Sequence, residues 1–304
     1  MRWQKAVWRL YLGLAQLVWA TPGLKLLAKK WGSGQRLGTV LRRRLIAALP
    51  NPIVTGDNFK FTLYLPAKAY FFAPEAVAGT WERGTVLVLR NLLSPGMTMV
   101  DLGAHVGYFS LLAAQCVGSS GRVYAFEPQP EVYDLLIKNI EANGYGAIIR
   151  PVRTAVCNTI GSAALFQGGE DSGGASLYRT PGASLDKVVV ETTTLDDFFA
   201  AEGWPPVHLV KMDIEGAERA ALEGMRELAA RHPNLKLIME FGPGNQAAAG
   251  VIPQELFDTL LALGFQNFSA IQGGLKPLSI PKDILRLVRN ARDEYAYVNL
   301  LCER

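Results

Sequence analysis

The chain has 304 residues, 49 % of them hydrophobic, enough to bury a full core as one large domain or one domain with an extension. Its three cysteines (Cys116, Cys157, Cys302) are far apart and its three histidines are scattered, which argues against a metal cluster or zinc site and for a reducing compartment. The net charge of +4 hides an asymmetry: residues 1–50 carry ten Lys or Arg and no acid, while the other 254 carry 21 basic and 27 acidic side chains.

The opening segment is therefore a separate physical object. On a helical projection Arg2, Lys5, Arg9 and Gln16 share one face, with Trp3, Val7, Leu10, Leu14, Leu17 and Val18 opposite. The run from Leu10 to Ala20, ahead of the Thr21-Pro22-Gly23 break, is 11 residues, whereas a bilayer span needs about 20. Thr21-Pro22-Gly23 breaks the helix, Leu24 to Trp31 resumes it, and Gly32-Ser33-Gly34 is a joint before the basic stretch Leu37 to Leu49. Four of the six tryptophans fall here. Tryptophan prefers the headgroup level, and each basic side chain near an anionic leaflet contributes about 1 kcal/mol. The expectation is an amphipathic extension lying on an anionic membrane surface. A cleaved signal peptide fits less well, because Arg9 interrupts the apolar region. Packing against the rest of the protein and binding to RNA are the remaining alternatives.

Residues 51–304 are expected to form the second domain. Phe59 to Leu65 alternates as a strand, and Thr80 to Leu93 reads as a helix stopped by Ser94-Pro95-Gly96. Strands then alternate with helices: strand 97–102, helix 107–116, strand 122–126, helix 130–142, strand 147–156. After a glycine-rich stretch (Gly168 to Ala175) come helix 195–201, strand 207–213, helix 217–231, strand 235–241 and helix 253–263. Strands near 265–270 and 295–302 complete it. Such alternation predicts an α/β fold with a parallel sheet covered by helices on both faces.

The densest signal is Val100-Asp-Leu-Gly-Ala-His-Val-Gly107, followed by Glu127 at the end of the next strand, 24 residues after Gly103. Gly103 and Gly107 are expected to let the backbone approach a ligand, and a strand-end acid is placed to accept ribose hydroxyls. The glycines do not follow the G-x-G-x-x-G order of a dinucleotide site, and no phosphate loop occurs. An acid before the first glycine, Asp101, instead suits a cationic ligand end such as an ammonium or sulfonium.

These residues resemble the FkbM-type S-adenosylmethionine-dependent methyltransferases. The likeness rests on Pro95 to Ser110, Gly121 to Pro128, Thr192-Thr-Thr-Leu-Asp-Asp-Phe198 and Val210-Lys-Met-Asp-Ile-Glu-Gly-Ala-Glu218. It spans about residues 80 to 300 and leaves the first 50 unexplained. It implies the Rossmann-like class I methyltransferase fold, a seven-stranded sheet with its last strand antiparallel, and S-adenosyl-L-methionine as cofactor. Asp101, Gly103, His105, Gly107 and Glu127 are the expected cofactor residues, and the turn Thr154 to Cys157 is where adenine would sit.

Ligands of open parallel sheets bind beyond the C-terminal ends of strands, which singles out Asp213, Glu215 and Glu240 as catalytic candidates. Lys211 shares one side of its strand with Asp213. Asp213 and Glu215 could instead cap the helix that follows. The three carboxylates could instead hold a divalent ion, which their spacing does not establish, and no metal is assigned. Trp81-Glu82 could cover the cofactor, and Asp171 to Ser176 could be a substrate lid.

The Asp/Asn-Pro-Pro-aromatic clamp of amino-methylating enzymes is absent after the fourth core strand, which favours an oxygen acceptor. Family members are best known for methylating hydroxyls of sugars and polyketides. The expectation is an O-methyltransferase acting on a hydroxyl of a saccharide, glycolipid or related natural product, cytoplasmic and peripheral on the inner face of the membrane. Nucleic acid is the less favoured partner; an RNA methyltransferase and a non-catalytic binding protein of the same fold are the rivals.

Overall fold

A computed structural model describes residues 53–55, 61–66, 75–76, 81–168, 173–180, 183–290 and 297–304. The expectations for residues 1–50, and for Asp171 and Ser172, lie outside the described residues. No described helix is long and apolar enough to cross a membrane. The chain divides into two compact units, Met1–Glu82 and Arg83–Arg304.

In the first unit β1 (Ile53–Thr55) pairs antiparallel with β2 (Phe61–Leu63), the core of the strand expected over Phe59 to Leu65. Trp81 and Glu82, expected inside a helix, form a turn instead, with Glu82 at φ +39°.

The second unit begins with α1 (Arg83–Leu92), which buries Thr85, Val86, Val88 and Leu89 along one stripe. There follow β3 (Thr98–Leu102), α2 (Tyr108–Val117), β4 (Arg122–Phe126), α3 (Pro130–Ala142), β5 (Ile149–Val152), β6 (Ala155–Val156) and β7 (Gly161–Phe166). Next come β8 (Lys187–Thr193), α4 (Leu195–Ala201), β9 (Leu209–Met212), α5 (Glu218–Glu223), α6 (Arg226–Arg231) and β10 (Lys236–Phe241). The chain closes with α7 (Pro243–Ala248), α8 (Pro253–Ala262), β11 (Asn267–Ile271), β12 (Leu275–Leu278), α9 (Ile284–Asn290) and β13 (Val298–Glu303).

The main sheet has the order β12-β11-β13-β10-β9-β3-β4-β5. Strands β5, β4, β3, β9 and β10 are parallel, and β13 runs antiparallel between β10 and β11. This is the class I methyltransferase sheet. The expected seven strands gain an eighth, β12, hairpinned onto β11 through Gly273-Gly274. Pro277 fits that outermost strand, where a missing N–H breaks no ladder. Central β3 and β9 are buried at every position, as strands covered on both faces must be.

Two expected elements are interrupted. The strand over 147–156 splits after Val152, where the chain leaves the main sheet and enters a small one, ordered β6-β8-β7. Ala155, Leu165 and Val190 form its own core. The helix over 217–231 breaks at Gly224, where a Cβ would lie 2.3 Å from the Cys157 carbonyl oxygen. The second piece, α6, is capped from α4: Asp196 accepts the N–H groups of Glu227 at 3.0 Å and Leu228 at 2.8 Å. α4 begins at Thr194, whose hydroxyl accepts the Asp197 N–H at 2.9 Å.

Candidate active site

The site lies at the C-terminal ends of β3, β4 and β9, around a cavity lined by Gly103, His105, Glu127, Thr154 and Asp213. Parallel β3 places Asp101 beside Lys211 of β9 and Leu102 beside Met212, so the ends of the two strands meet.

Gly103 has φ +76°, and a Cβ on it would sit 1.8 Å from the Asp213 carbonyl oxygen. Gly107 has φ +89°, with Leu136 Cδ1 2.6 Å from its would-be Cβ. To the expected reason for both glycines the structure adds a second: they admit the protein's own backbone and core. The loop's amides are also spent internally. Gly103 and Ala104 N–H both donate to the Phe126 carbonyl, and Gly107 N–H donates to Ala104. A loop whose donors are so used is not built to cradle a pyrophosphate.

The Glu127 carboxylate lines the cavity and could accept ribose hydroxyls. Its Oε2 accepts the His105 N–H at 2.9 Å and its Oε1 the Gln129 N–H at 2.9 Å. Each oxygen keeps a lone pair for a vicinal hydroxyl. His105, at φ +52°, thus contributes its backbone N–H as well as its place on the cavity wall. Burial pushes Glu127 up from 4.5 to about 7, against the two N–H bonds that favour its charge. Hydroxyl donors favour the ionised form, so cofactor binding is expected to release a proton below about pH 7. Calorimetry near pH 6 in buffers of different ionisation enthalpy reads that release directly; proton uptake would contradict it. Glu127→Ala is expected to weaken S-adenosylhomocysteine binding by about 1.5–3 kcal/mol, and an unchanged dissociation constant would remove the ribose role.

Asp101 is 1 % exposed. Its Oδ2 accepts the Ser110 hydroxyl at 2.5 Å, while Oδ1 has no partner. Burial raises its pKa, opposed by the Lys211 ammonium and Ser110. Asp101 is not among the residues lining the cavity, so it could favour a cationic ligand group through its field rather than by direct contact. Of the turn expected to meet adenine, Thr154, Ala155 and Val156 line the cavity, whereas Cys157 is buried and does not. The roof comes from the small sheet: Ser176 bridges to Phe166, and its hydroxyl donates to the Glu215 carbonyl at 2.6 Å.

The catalytic candidates converge. Asp213, Glu215 and Glu240 each present a carboxylate oxygen within 4.8 Å of the others. Neither Asp213 nor Glu215 caps α5, whose N-cap is Ala217 without a side-chain bond. Lys211, 3 % exposed, places Nζ 3.0 Å from Asp213 Oδ2 and 4.6 Å from the Phe109 ring centre. Glu215, at φ +54°, is raised to about 8, first by burial and then by Asp213 and Glu218. Three such carboxylates can hold a proton, accept a substrate hydroxyl or take up a small cation. No metal was assigned to them from spacing; it is the fold that brings Glu240 of β10 beside the β9 turn.

Several supporting residues are not singled out as site residues by the sequence, although Glu218 closes the Val210–Glu218 motif. Asn139 projects from the apolar stripe of α3 and donates to the Val106 carbonyl at 2.8 Å, pinning the glycine loop. An Asn between Leu136 and Ile140 is the signal that could have revealed it. Glu218, Asn245 and Gln246 hold the β9 turn, and α7, which carries two of them, is too short to show a period.

The methyltransferase FkbM domain model matches residues 101–266. Over 161 residues the chain is 26 % identical to hexuronic acid methyltransferase AglP of Haloferax volcanii, covering 51 % of this chain and 63 % of that one. Over 121 residues it is 29 % identical to protein-L-isoaspartate O-methyltransferase of Aeropyrum pernix, covering 39 % and 46 %. The chain therefore spans less than two thirds of the length of these curated relatives. The crystal structure of methyltransferase FkbM from Methylobacillus flagellatus aligns with a TM-score of 0.43 at 14 % identity, over 90 % of this chain and 60 % of that one.

Proposed function

The chain belongs to the FkbM methyltransferase family and is an S-adenosylmethionine-dependent methyltransferase, and we propose that its acceptor is a hydroxyl of a saccharide, glycolipid or related natural product. The observation that carries this is the cluster of Asp213, Glu215 and Glu240 beside a cavity that Asp213 itself lines. Carboxylates accept hydrogen bonds from hydroxyls, and one of them can take the proton that leaves as the new C–O bond forms. The similarity to a hexuronic acid methyltransferase supports a saccharide.

When bound, S-adenosylmethionine supplies a methyl group already activated on a sulfonium. Glu127 would hold the ribose hydroxyls, and the buried Asp101 would favour the cationic methionine end electrostatically. Lys211 keeps Asp213 oriented from beneath. Glu215 and Glu240 flank the acceptor, and the roof at Ser176 limits water. Orientation of this kind can contribute about 7–11 kcal/mol, against roughly 3–5 kcal/mol for a general base of 10²–10⁴-fold effect. Positioning therefore dominates.

The cytoplasmic, membrane-peripheral setting rests on the +10 charge and four tryptophans of residues 1–50. The full chain is expected to float with vesicles containing anionic lipid and not with zwitterionic ones; equal recovery from both would remove the membrane from the account. For the acceptor, neutral methyl hexosides are expected to stimulate S-adenosylhomocysteine formation, and a panel that leaves it at background would contradict the proposal.

A further inference from the structure

Two adjacent residues of α7 grip the turn that carries Asp213 and Glu215. Asn245 Nδ2 donates to Glu215 Oε2 at 2.5 Å. Gln246, fully buried, donates through Nε2 to Glu218 Oε2. Glu218 is itself 2 % exposed, and its Oε1 accepts the N–H groups of Ile214 and Gly216, both at 3.2 Å. Its Oε2 accepts the same Gly216 N–H at 3.0 Å.

Helix and turn also meet through their backbones. Gly216 lies at φ +102°, and a Cβ there would be 2.7 Å from the Asn245 carbonyl oxygen. α7 follows directly on β10, whose Glu240 supplies the third carboxylate. One short helix thus links the strand end bearing Glu240 to the turn bearing the other two. Without such a tie, repulsion between whichever of the three carboxylates are ionised would drive them apart, since they lie within 4.8 Å of one another.

We propose that Asn245, Gln246 and Glu218 are positioning residues for methyl transfer, setting the distance between the Asp213–Glu215 turn and Glu240. This rests on the hydroxyl-methylation reading above. None of the three need touch the methyl donor; they act through the carboxylates. A misplacement of about 1 Å at reacting groups can cost roughly 10²-fold in rate.

The clamp has a testable internal chemistry. Gln246 Oε1 is buried without a partner. In Glu218→Gln, the new carbonyl oxygen can keep the Ile214 and Gly216 N–H groups, while the new amide donates to Gln246 Oε1 once the Gln246 amide rotates. The clamp is then rebuilt without a carboxylate. Glu218→Ala cannot do this.

The test uses full-length Asn245→Ala, Gln246→Leu, Glu218→Ala and Glu218→Gln, with methyl transfer to neutral methyl hexosides and calorimetry with S-adenosylhomocysteine. Asn245→Ala and Gln246→Leu are expected to lower kcat by about 10- to 100-fold, with S-adenosylhomocysteine affinity within about threefold. Glu218→Gln is expected to recover most of the turnover lost in Glu218→Ala. Variants that melt earlier yet keep full kcat below their melting temperature would make the three residues merely structural and overturn the proposal. A Glu218→Gln protein as inactive as Glu218→Ala would do the same. If the wild type methylates no hexoside, the saccharide reading fails, and the clamp is judged by crystallography. Asn245→Ala is then expected to release Glu215 from the carboxylate cluster, and an unmoved Glu215 overturns it.

Discussion

Gly103→Ala is expected to abolish cofactor binding and to destabilise the domain by about 3–5 kcal/mol, the range reserved for named backbone and core defects. Two costs combine. At φ +76° an L-side chain occupies the left-handed region, which costs of order 1–3 kcal/mol. The added methyl would also stand 1.8 Å from the Asp213 carbonyl oxygen, with Asp213 carbon at 3.0 Å. Those atoms are backbone, so no rotamer change relieves the clash. The ends of β3 and β9 would have to part, breaking the Asp213 N–H bond to the Leu102 carbonyl at 3.1 Å. That movement displaces Asp213 from the reacting groups and pulls the loop off Glu127. Thermal melting and S-adenosylhomocysteine calorimetry read the two effects; a variant that binds normally would refute this account of the glycine.

Asp213→Asn is expected to lower kcat by about 10²–10⁴-fold, the usual range for a positioned acid or base, with cofactor affinity near normal. The amide can occupy the same volume but cannot take a proton from a hydroxyl. It also leaves Lys211 less well compensated at 3 % exposure, so a lower melting temperature accompanies the loss. Asp101, beside Lys211 across the β3–β9 pair, limits that cost. Single-turnover methyl transfer separates the two consequences. Full activity in the variant would take Asp213 out of the reaction.

The parts of the fold most visible in sequence are those whose local pattern and tertiary role agree. β4 and α3 run over 122–126 and 130–142 as expected, because apolar strands and an amphipathic helix behind Pro130 leave few alternatives. β7 and β8 are not foreseen, although Val188 to Val190 is a strong β-forming run. Their sheet has a core of three residues and Val189 is 79 % exposed, so the alternation that marks a strand is weak. The break at Gly224 depends on Cys157, 67 positions earlier, and no local pattern reports such a contact.

The site divides in the same way. Glu127 and Asp101 are legible because a strand followed by a glycine loop confines them to one place. Gly103 is found for an incomplete reason, since its near neighbour Asp213 lies on a different strand. Lys211 is noticed only as sharing a strand side with Asp213. Its burial follows from β9 being central in the sheet. Gln246 is invisible, because a six-residue helix has too few turns to show which face is buried.

The central claim is methyl transfer to a sugar hydroxyl. Its most direct test is incubation of the purified protein with methyl-labelled S-adenosylmethionine and total lipid and glycan extracts, with the label followed through alkaline hydrolysis. An ether formed on a hydroxyl survives alkali, whereas an ester formed on a carboxylate is cleaved. Label retained on a saccharide oxygen after hydrolysis is the predicted result. Label released by alkali, or no label on any saccharide, would contradict it.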